Sequence, residues 1–248
     1  MQSIKAVFIN EIFKISKKKK ITAALIFSVL SVLTAVIIEY LLNNFAGIRV
    51  TGNSEFSIII LTILSYSLFP LFTAFICIDM FAGEFADHTI KFTLTGPASR
   101  IKVYLGKILA IAAFVICNLI FVMVLSIVAS LFLNSNIPNI LKILVSYIMA
   151  FFPIFIFALA VVLISNITRG TTSAFMFSIF VFLLFNGLNM VFPQIRSFLF
   201  TSSFDWYRLI LGSYINYSKI FRVFLILLGY GIMLFTAGYY IFEKKDIG

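Results

Sequence analysis

Residues 140–165 read ILKILVSYIMAFFPIFIFALAVVLIS, a run with one charged side chain, Lys142, near its start. About 20 mainly apolar residues carry a helix across the hydrocarbon of a bilayer, so this stretch is long enough to span. Five more stretches meet the same test, at 21–38, 56–81, 105–133, 173–192 and 220–242. The third is long enough for its first turns to lie below the membrane. The expectation is an all-α, polytopic membrane protein with six transmembrane helices, built as a single domain over residues 1–248.

Composition agrees with that reading. Of 248 residues, 62% are hydrophobic and only 11% charged, where a soluble domain carries roughly 25% charged residues. The formal net charge is +10, but the Lys and Arg residues cluster beside apolar spans rather than on one polar helix face. That placement sets topology and contacts with the lipid bilayer, and a nucleic-acid partner is excluded. One side of the six spans holds thirteen cations: Lys5, Lys14, Lys17 to Lys20, Lys91, Arg100, Lys102, Lys107, Arg169, Lys244 and Lys245. The other holds six: Arg49, Lys142, Arg196, Arg208, Lys219 and Arg222. The positive-inside rule puts the first set, and with it both termini, in the cytoplasm.

Ahead of the first span, Ile4, Val7, Phe8, Ile12 and Ile15 recur at helical spacing, with Lys5, Asn10, Glu11 and Lys14 between them. Residues 1–20 are therefore expected to form an amphipathic helix lying in the interface, with Lys17 to Lys20 marking the turn into the membrane. The apolar run that follows is longer than the 7–15 residues of a signal-peptide core and has no A-x-A site after it, so a retained span is expected.

The spans lack the chemistry of several function classes. No charge sits at the middle of any span, where an ion-coupled carrier or pump would bind its ion. Glu39 and Asp79 lie near span ends and are read as satisfied border residues. The one histidine, His88, lies in a loop, and Cys77 and Cys117 fall inside spans without metal-ligand spacing, so no metal site is expected. No nucleophile elbow exists. A phosphate-binding loop needs G-x-x-x-x-G-K-[ST], and the only Gly-Lys pair, Gly106-Lys107, has Ile101 and Ile108 at the other two positions. The chain is thus read as non-catalytic, with no cofactor of its own. Pro70 and Pro153 lie mid-span, where each removes a backbone donor and favours a kink.

The most distinctive stretch is the loop between spans two and three, EFADHTIKFTLTGPASRIKVYLGK at 84–107. Acidic residues precede basic ones, Ile90 and Leu94 supply an apolar stripe, and Gly96-Pro97 ends a short helix. Ser99 is placed to cap a second helix that runs into span three. The pattern Glu84, Thr89-Ile90-Lys91, Leu94, Pro97, Ser99-Arg100 and Lys107, with the ending YIFEKKDI at 240–247, resembles the ABC-2 transporter permeases, especially small bacterial ones linked to peptide export and bacteriocin immunity. With the N-terminal helix and six spans, the resemblance covers the whole chain.

What the resemblance implies is a type V exporter-like fold in the bacterial cell membrane. The chain would pair with a second permease copy or paralogue and with two ABC ATPase subunits, which would hold ATP and Mg. The loop at 82–104 would be the coupling loop, with Glu84, Asp87, Thr89, Ile90, Lys91, Leu94, Pro97, Ser99 and Arg100 meeting the ATPase. The external stretch 193–219 would hold short re-entrant helices, with Trp206 and Tyr207 as aromatic residues at the external interface. The cargo would be a hydrophobic or amphipathic peptide, such as a cytolytic toxin of the phenol-soluble modulin type or a lantibiotic. The rival readings are an ion-coupled carrier or channel without an ATPase, and a non-transporting membrane scaffold or sensor.

Overall fold

The computed structural model describes residues 4–46, 55–87, 89, 99–133, 139–168, 170–192, 194, 199–211 and 216–245. Among them the chain is helical, with no strands. Helix α1 covers Ile4–Ser16, α2 Lys19–Ala46, α3 Glu55–Ser65 and α4 Leu68–Ile78. A π-helical turn, Asp79–Gly83, leads into the short α5, Glu84–Ala86. Then come α6 (Arg100–Leu133), α7 (Ile140–Ile167) and α8 (Thr171–Val191). A 3₁₀ turn at Phe200–Ser203 and the short α9 (Arg208–Leu211) precede α10 (Tyr217–Lys244). Six helical stretches are long and apolar enough to cross a membrane: α2, α4 through α5, α6, α7, α8 and α10.

The bundle is arranged around α7. Most of α7 and of α4 is buried, whereas α2, α8 and α10 leave most of their apolar side chains exposed, as lipid-facing helices do. Small residues allow close crossings. At Gly238 of α10 a Cβ would lie 2.5 Å from the Tyr104 hydroxyl of α6, so only glycine admits that ring. Tyr104 is then enclosed by Phe81, Phe235, Tyr239 and Phe242 at centroid distances of 5.3 to 5.7 Å, tying α6, α10 and the π-turn together. At the far end of the bundle, the Tyr147 hydroxyl of α7 donates to the Ser57 carbonyl of α3 at 3.3 Å and meets Ser126 of α6 at 3.1 Å.

Span two departs from the expected single helix over 56–81. It breaks at Tyr66-Ser67, where Ser67 takes φ −129° and ψ −86°, and resumes as α4. Pro70 explains the position. Its ring clashes with the carbonyl four residues back, at Tyr66, and it has no N–H to bond there, so a straight helix through this point is disfavoured. Restarting at Leu68 puts Pro70 in a first turn, where the missing donor has no intrahelical partner to lose. The resumed helix also runs past residue 81 and reaches Ala86.

Pro153 behaves differently, because α7 continues through it without interruption. The carbonyl it deprives of a partner is that of Met149, four residues earlier. The fate of that carbonyl is set by the segment after α8, described below.

Helix α6 has 34 residues, about 51 Å at 1.5 Å each, against a hydrocarbon core of about 30 Å. Its excess length is used at its start, where α1 packs across it. The contact is close at Gly106, where a Cβ would stand 2.6 Å from Val7 Cγ1.

Candidate functional site

Where α1 crosses α6, four charged side chains from three helices meet. Lys107 is fully buried, and its Nζ lies 2.7 Å from Glu84 Oε2 and 3.3 Å from Glu11 Oε2. It also donates to the Met80 carbonyl in the π-turn at 3.0 Å. Lys14 Nζ closes the group from the outside, 3.2 Å from Glu11 and 3.2 Å from Glu84. Two carboxylates thus face two ammonium groups, and every charge has a partner. Burial alone would depress the Lys14 pKa, but the Glu11 and Glu84 carboxylates outweigh it and hold the value above the ordinary 10.5. Lys14 is therefore fully charged at neutral pH, and its contribution is lost only as the pH rises through that elevated value.

This cluster corrects the reading of α1. Glu11 reads from the sequence as a polar-face residue, yet it is 1% exposed and shares the inward stripe with Val7 and Ile15, which lie four residues to either side. Ile4, Ile9, Ile12 and Phe13 are exposed instead and form the side free to meet lipid. The spacing 7, 11, 15 carried that signal, but a carboxylate in an apolar stripe becomes intelligible only when its cation, 96 residues away, is known. Lys107 likewise does more than set topology. Because Gly106 lets α1 approach so closely, Gly106→Leu is expected to push α1 away and cost roughly 1–3 kcal/mol by overpacking. Thermal unfolding of the purified protein in detergent measures it, with Gly187→Leu on α8 as a control where added atoms meet open space.

Two further ties hold the same end of the bundle. Asp79, in the π-turn, pairs with Lys20 at 2.6 Å and Lys18 at 3.6 Å, as expected of a satisfied border residue. Arg100, at the start of α6, donates to the carbonyls of Glu243 and Lys245, the latter at 3.4 Å. These belong to the last turn of α10, where carbonyls lack helical partners and a cation is favoured. Lys245 in turn donates to the Thr168 carbonyl at the end of α7, 3.3 Å away, and sits over the Phe85 ring at 4.0 Å. Its partial burial lowers its pKa.

The residues singled out in the loop therefore divide. Glu84 points into the ion cluster and Arg100 onto α10, so both act first as anchors within the chain. Asp87 ends α5 and is exposed. Thr89 is exposed too, its hydroxyl donating to the Glu84 carbonyl at 3.4 Å. Ser99 caps α6 through its carbonyl, which accepts from the amides of Lys102 at 2.9 Å and Val103 at 3.2 Å. Ile90, Lys91, Leu94 and Pro97 lie outside the described residues.

Over residues 5–247 the chain matches the family described as ABC-2 family transporter protein. The chain belongs to that family. No curated protein matches it. The family assignment makes this chain a multi-pass membrane protein and the permease subunit of an ABC transporter, since ABC-2 permeases work in the bilayer with ABC ATPase subunits.

At the opposite end, the permease corrects the reading of Trp206 and Tyr207. They do not face outward as an aromatic belt would but are buried contacts, 6% and 0% exposed. The Trp206 indole N–H donates to the Met149 carbonyl at 2.8 Å. That is the carbonyl that Pro153 leaves without a helical donor, so the proline creates the acceptor that the indole fills. Tyr207 meets the Thr62 hydroxyl of α3 at 2.8 Å, and because that hydroxyl donates to the Ile58 carbonyl, the phenol is the donor. Thr201 accepts from Asn189 of α8 at 2.7 Å. Phe204 packs on Tyr66 at 5.5 Å, beside the break in span two. The segment 200–207 thus fastens α3, α7 and α8 at one end of the permease. The signal in the sequence was Pro153 itself, whose unbonded carbonyl requires a donor from elsewhere.

Proposed function

We propose that the permease is the membrane half of an ATP-driven exporter of hydrophobic or amphipathic peptides, with its basic end in the cytoplasm. Two ATPase subunits, holding ATP and Mg, dock on the loop at 82–104, and a second permease copy or paralogue completes the pathway. The observation that carries this reading is the anchoring of both described ends of that loop. Glu84 is bonded through Lys107 to α1, and Arg100 to the end of α10. A push on the loop is therefore delivered to α1, α6 and α10 together. The apolar spans suit a greasy cargo, and ATP-driven motion switches two permease halves between orientations.

Docking is tested at Leu94. Burying a Leu-sized side chain contributes roughly 1.5–3 kcal/mol, and a carboxylate in its place adds a desolvation penalty. Leu94→Asp is expected to weaken ATPase pull-down at least about tenfold, while Asn136→Asp, between the third and fourth spans in sequence, leaves it unchanged. Equal pull-down by both variants would refute the docking assignment. Orientation has its own test. In a Cys-free background, single cysteines at positions 95 and 246 are expected to react only with reagent on the cytoplasmic side, and one at position 52 from outside. Labelling of position 95 from outside would reverse the arrangement.

A further inference from the structure

At the end of the bundle opposite the ion cluster, Ser202, Ser203, Arg208, Lys219 and Arg222 line an open cavity of about 390 Å³. One carboxylate, Asp205, joins that lining, and it is engaged by Arg208 at 4.0 Å. Arg208 is held further by Thr62, to which it donates at 3.2 Å. Among the described residues, Lys219 and Arg222 have no carboxylate within ion-pair distance. Both stand in the first two turns of the 28-residue α10, whose N-terminal dipole adds positive potential. The floor of the cavity is apolar, made by Trp206, Leu209, Val223 and Ile226.

Beyond that floor α10 continues with an exposed face. Arg222, Ile226, Gly229 and Met233 follow one another at i, i+4, i+7 and i+11 on one face of α10. At Gly229 an added Cβ would meet nothing within 4 Å, and Met233 is exposed. The stripe from Arg222 to Met233 is thus an exposed, largely apolar face of α10 that begins beside the two cations. Its eleven steps of about 1.5 Å give roughly 16 Å, close to half of a hydrocarbon core of about 30 Å. A molecule that lies along it has an anionic head at the cations and an extended chain about one leaflet long.

We propose that this is a site for an anionic phospholipid, with its phosphate on Lys219 and Arg222 and one acyl chain lying past Ile226 and Gly229. The Ser203 hydroxyl supplies a further donor to the phosphate, and the two cations favour a head of net negative charge over a zwitterionic one. The inference does not depend on the cargo or on the ATPase, so it stands or falls separately from the exporter reading.

The test is native mass spectrometry of the full-length chain, purified in uncharged detergent and offered phosphatidylglycerol or phosphatidylcholine vesicles. Wild type is expected to retain phosphatidylglycerol at least about tenfold better than phosphatidylcholine. Lys219→Gln with Arg222→Gln is expected to abolish that preference, and Gly229→Leu to weaken retention by blocking the chain. Lys142→Gln, which removes an exposed cation at the same end but outside the cavity, is expected to change nothing. All the replaced side chains are exposed, and matching melting curves confirm the fold. Equal retention by the double variant and Lys142→Gln would overturn the site. So would displacement of phosphatidylglycerol by inorganic phosphate or by an amphipathic peptide at equal concentration, which would show a bare anion site or a cargo site instead.

Discussion

Lys107→Met is expected to produce the largest loss of stability of any single substitution in this permease. It removes the one fully buried cation among the described residues and leaves Glu11 and Glu84 facing each other, with only the partly exposed Lys14 between them. Breaking a buried pair from one side costs roughly 3–5 kcal/mol, because a charge stays behind in a medium that solvates it poorly. Methionine keeps the length of the side chain, so the effect is one of charge and not of volume. The expected result is a sharp fall in monodisperse yield and in melting temperature in detergent. Adding Glu11→Gln and Glu84→Gln to the variant removes the stranded charges and is expected to recover most of the loss. A buried ion pair replaced on both sides is often close to neutral. If the triple variant is no better than Lys107→Met alone, stranded charge is not the cause.

The second large effect is expected at the opposite end, where Trp206→Phe keeps an aromatic ring but deletes the donor to Met149. The Met149 carbonyl then has neither a helical N–H, because of Pro153, nor an indole. A buried acceptor left unmatched costs about 1–3 kcal/mol. Pro153→Ala supplies an amide at position 153 for that carbonyl, so in the Pro153→Ala background the cost of Trp206→Phe is expected to fall below about 1 kcal/mol. Contacting groups that share one bond couple by about 0.5–3 kcal/mol in a double-mutant cycle, and the cycle is read from unfolding in mixed detergent micelles. Additive costs would mean that the proline and the indole are unrelated. Loosening this segment is also expected to free α3, which it holds through Tyr207 and Phe204 next to the break at Tyr66-Ser67.

These two sites show where sequence reasoning reaches and where it stops. Six spans were legible because each is a contiguous apolar run of sufficient length, and the family pattern between Glu84 and Lys107 is contiguous too. Pro70 announced an irregularity in span two, but whether it bends the helix or breaks it depends on neighbours that the local sequence does not name. The ion cluster was out of reach for a different reason. Counting cations loop by loop treats Lys107 as one more inner-side charge, and only the packing of α1 on Gly106 brings Glu11 to it. Trp206 and Tyr207 read from the sequence as external-interface residues because aromatics are common there. Their N–H and O–H found partners inside the bundle instead, one of them made available by a proline 53 residues earlier. Ile90 and Leu94, the most specific part of the family pattern, fall outside the described residues, so their role rests on resemblance and on the Leu94→Asp experiment.

The central claim is that the loop at 82–104 drives the permease through the Glu84–Lys107–Glu11 link. Its most direct test is the ratio of peptide transported to ATP hydrolysed in proteoliposomes holding the permease and its ATPase, with a labelled amphipathic helical peptide as the probe. Glu84→Gln is the variant of choice, because Lys107 keeps Glu11 and the Met80 carbonyl as partners and the bundle stays folded. A hydrogen bond to a charged group contributes about 1.5–3 kcal/mol, so losing it from the link is expected to lower the ratio at least about tenfold. ATPase binding and basal hydrolysis should persist, since Glu84 faces inward. A Glu84→Gln complex that moves peptide at the wild-type ratio would contradict the account.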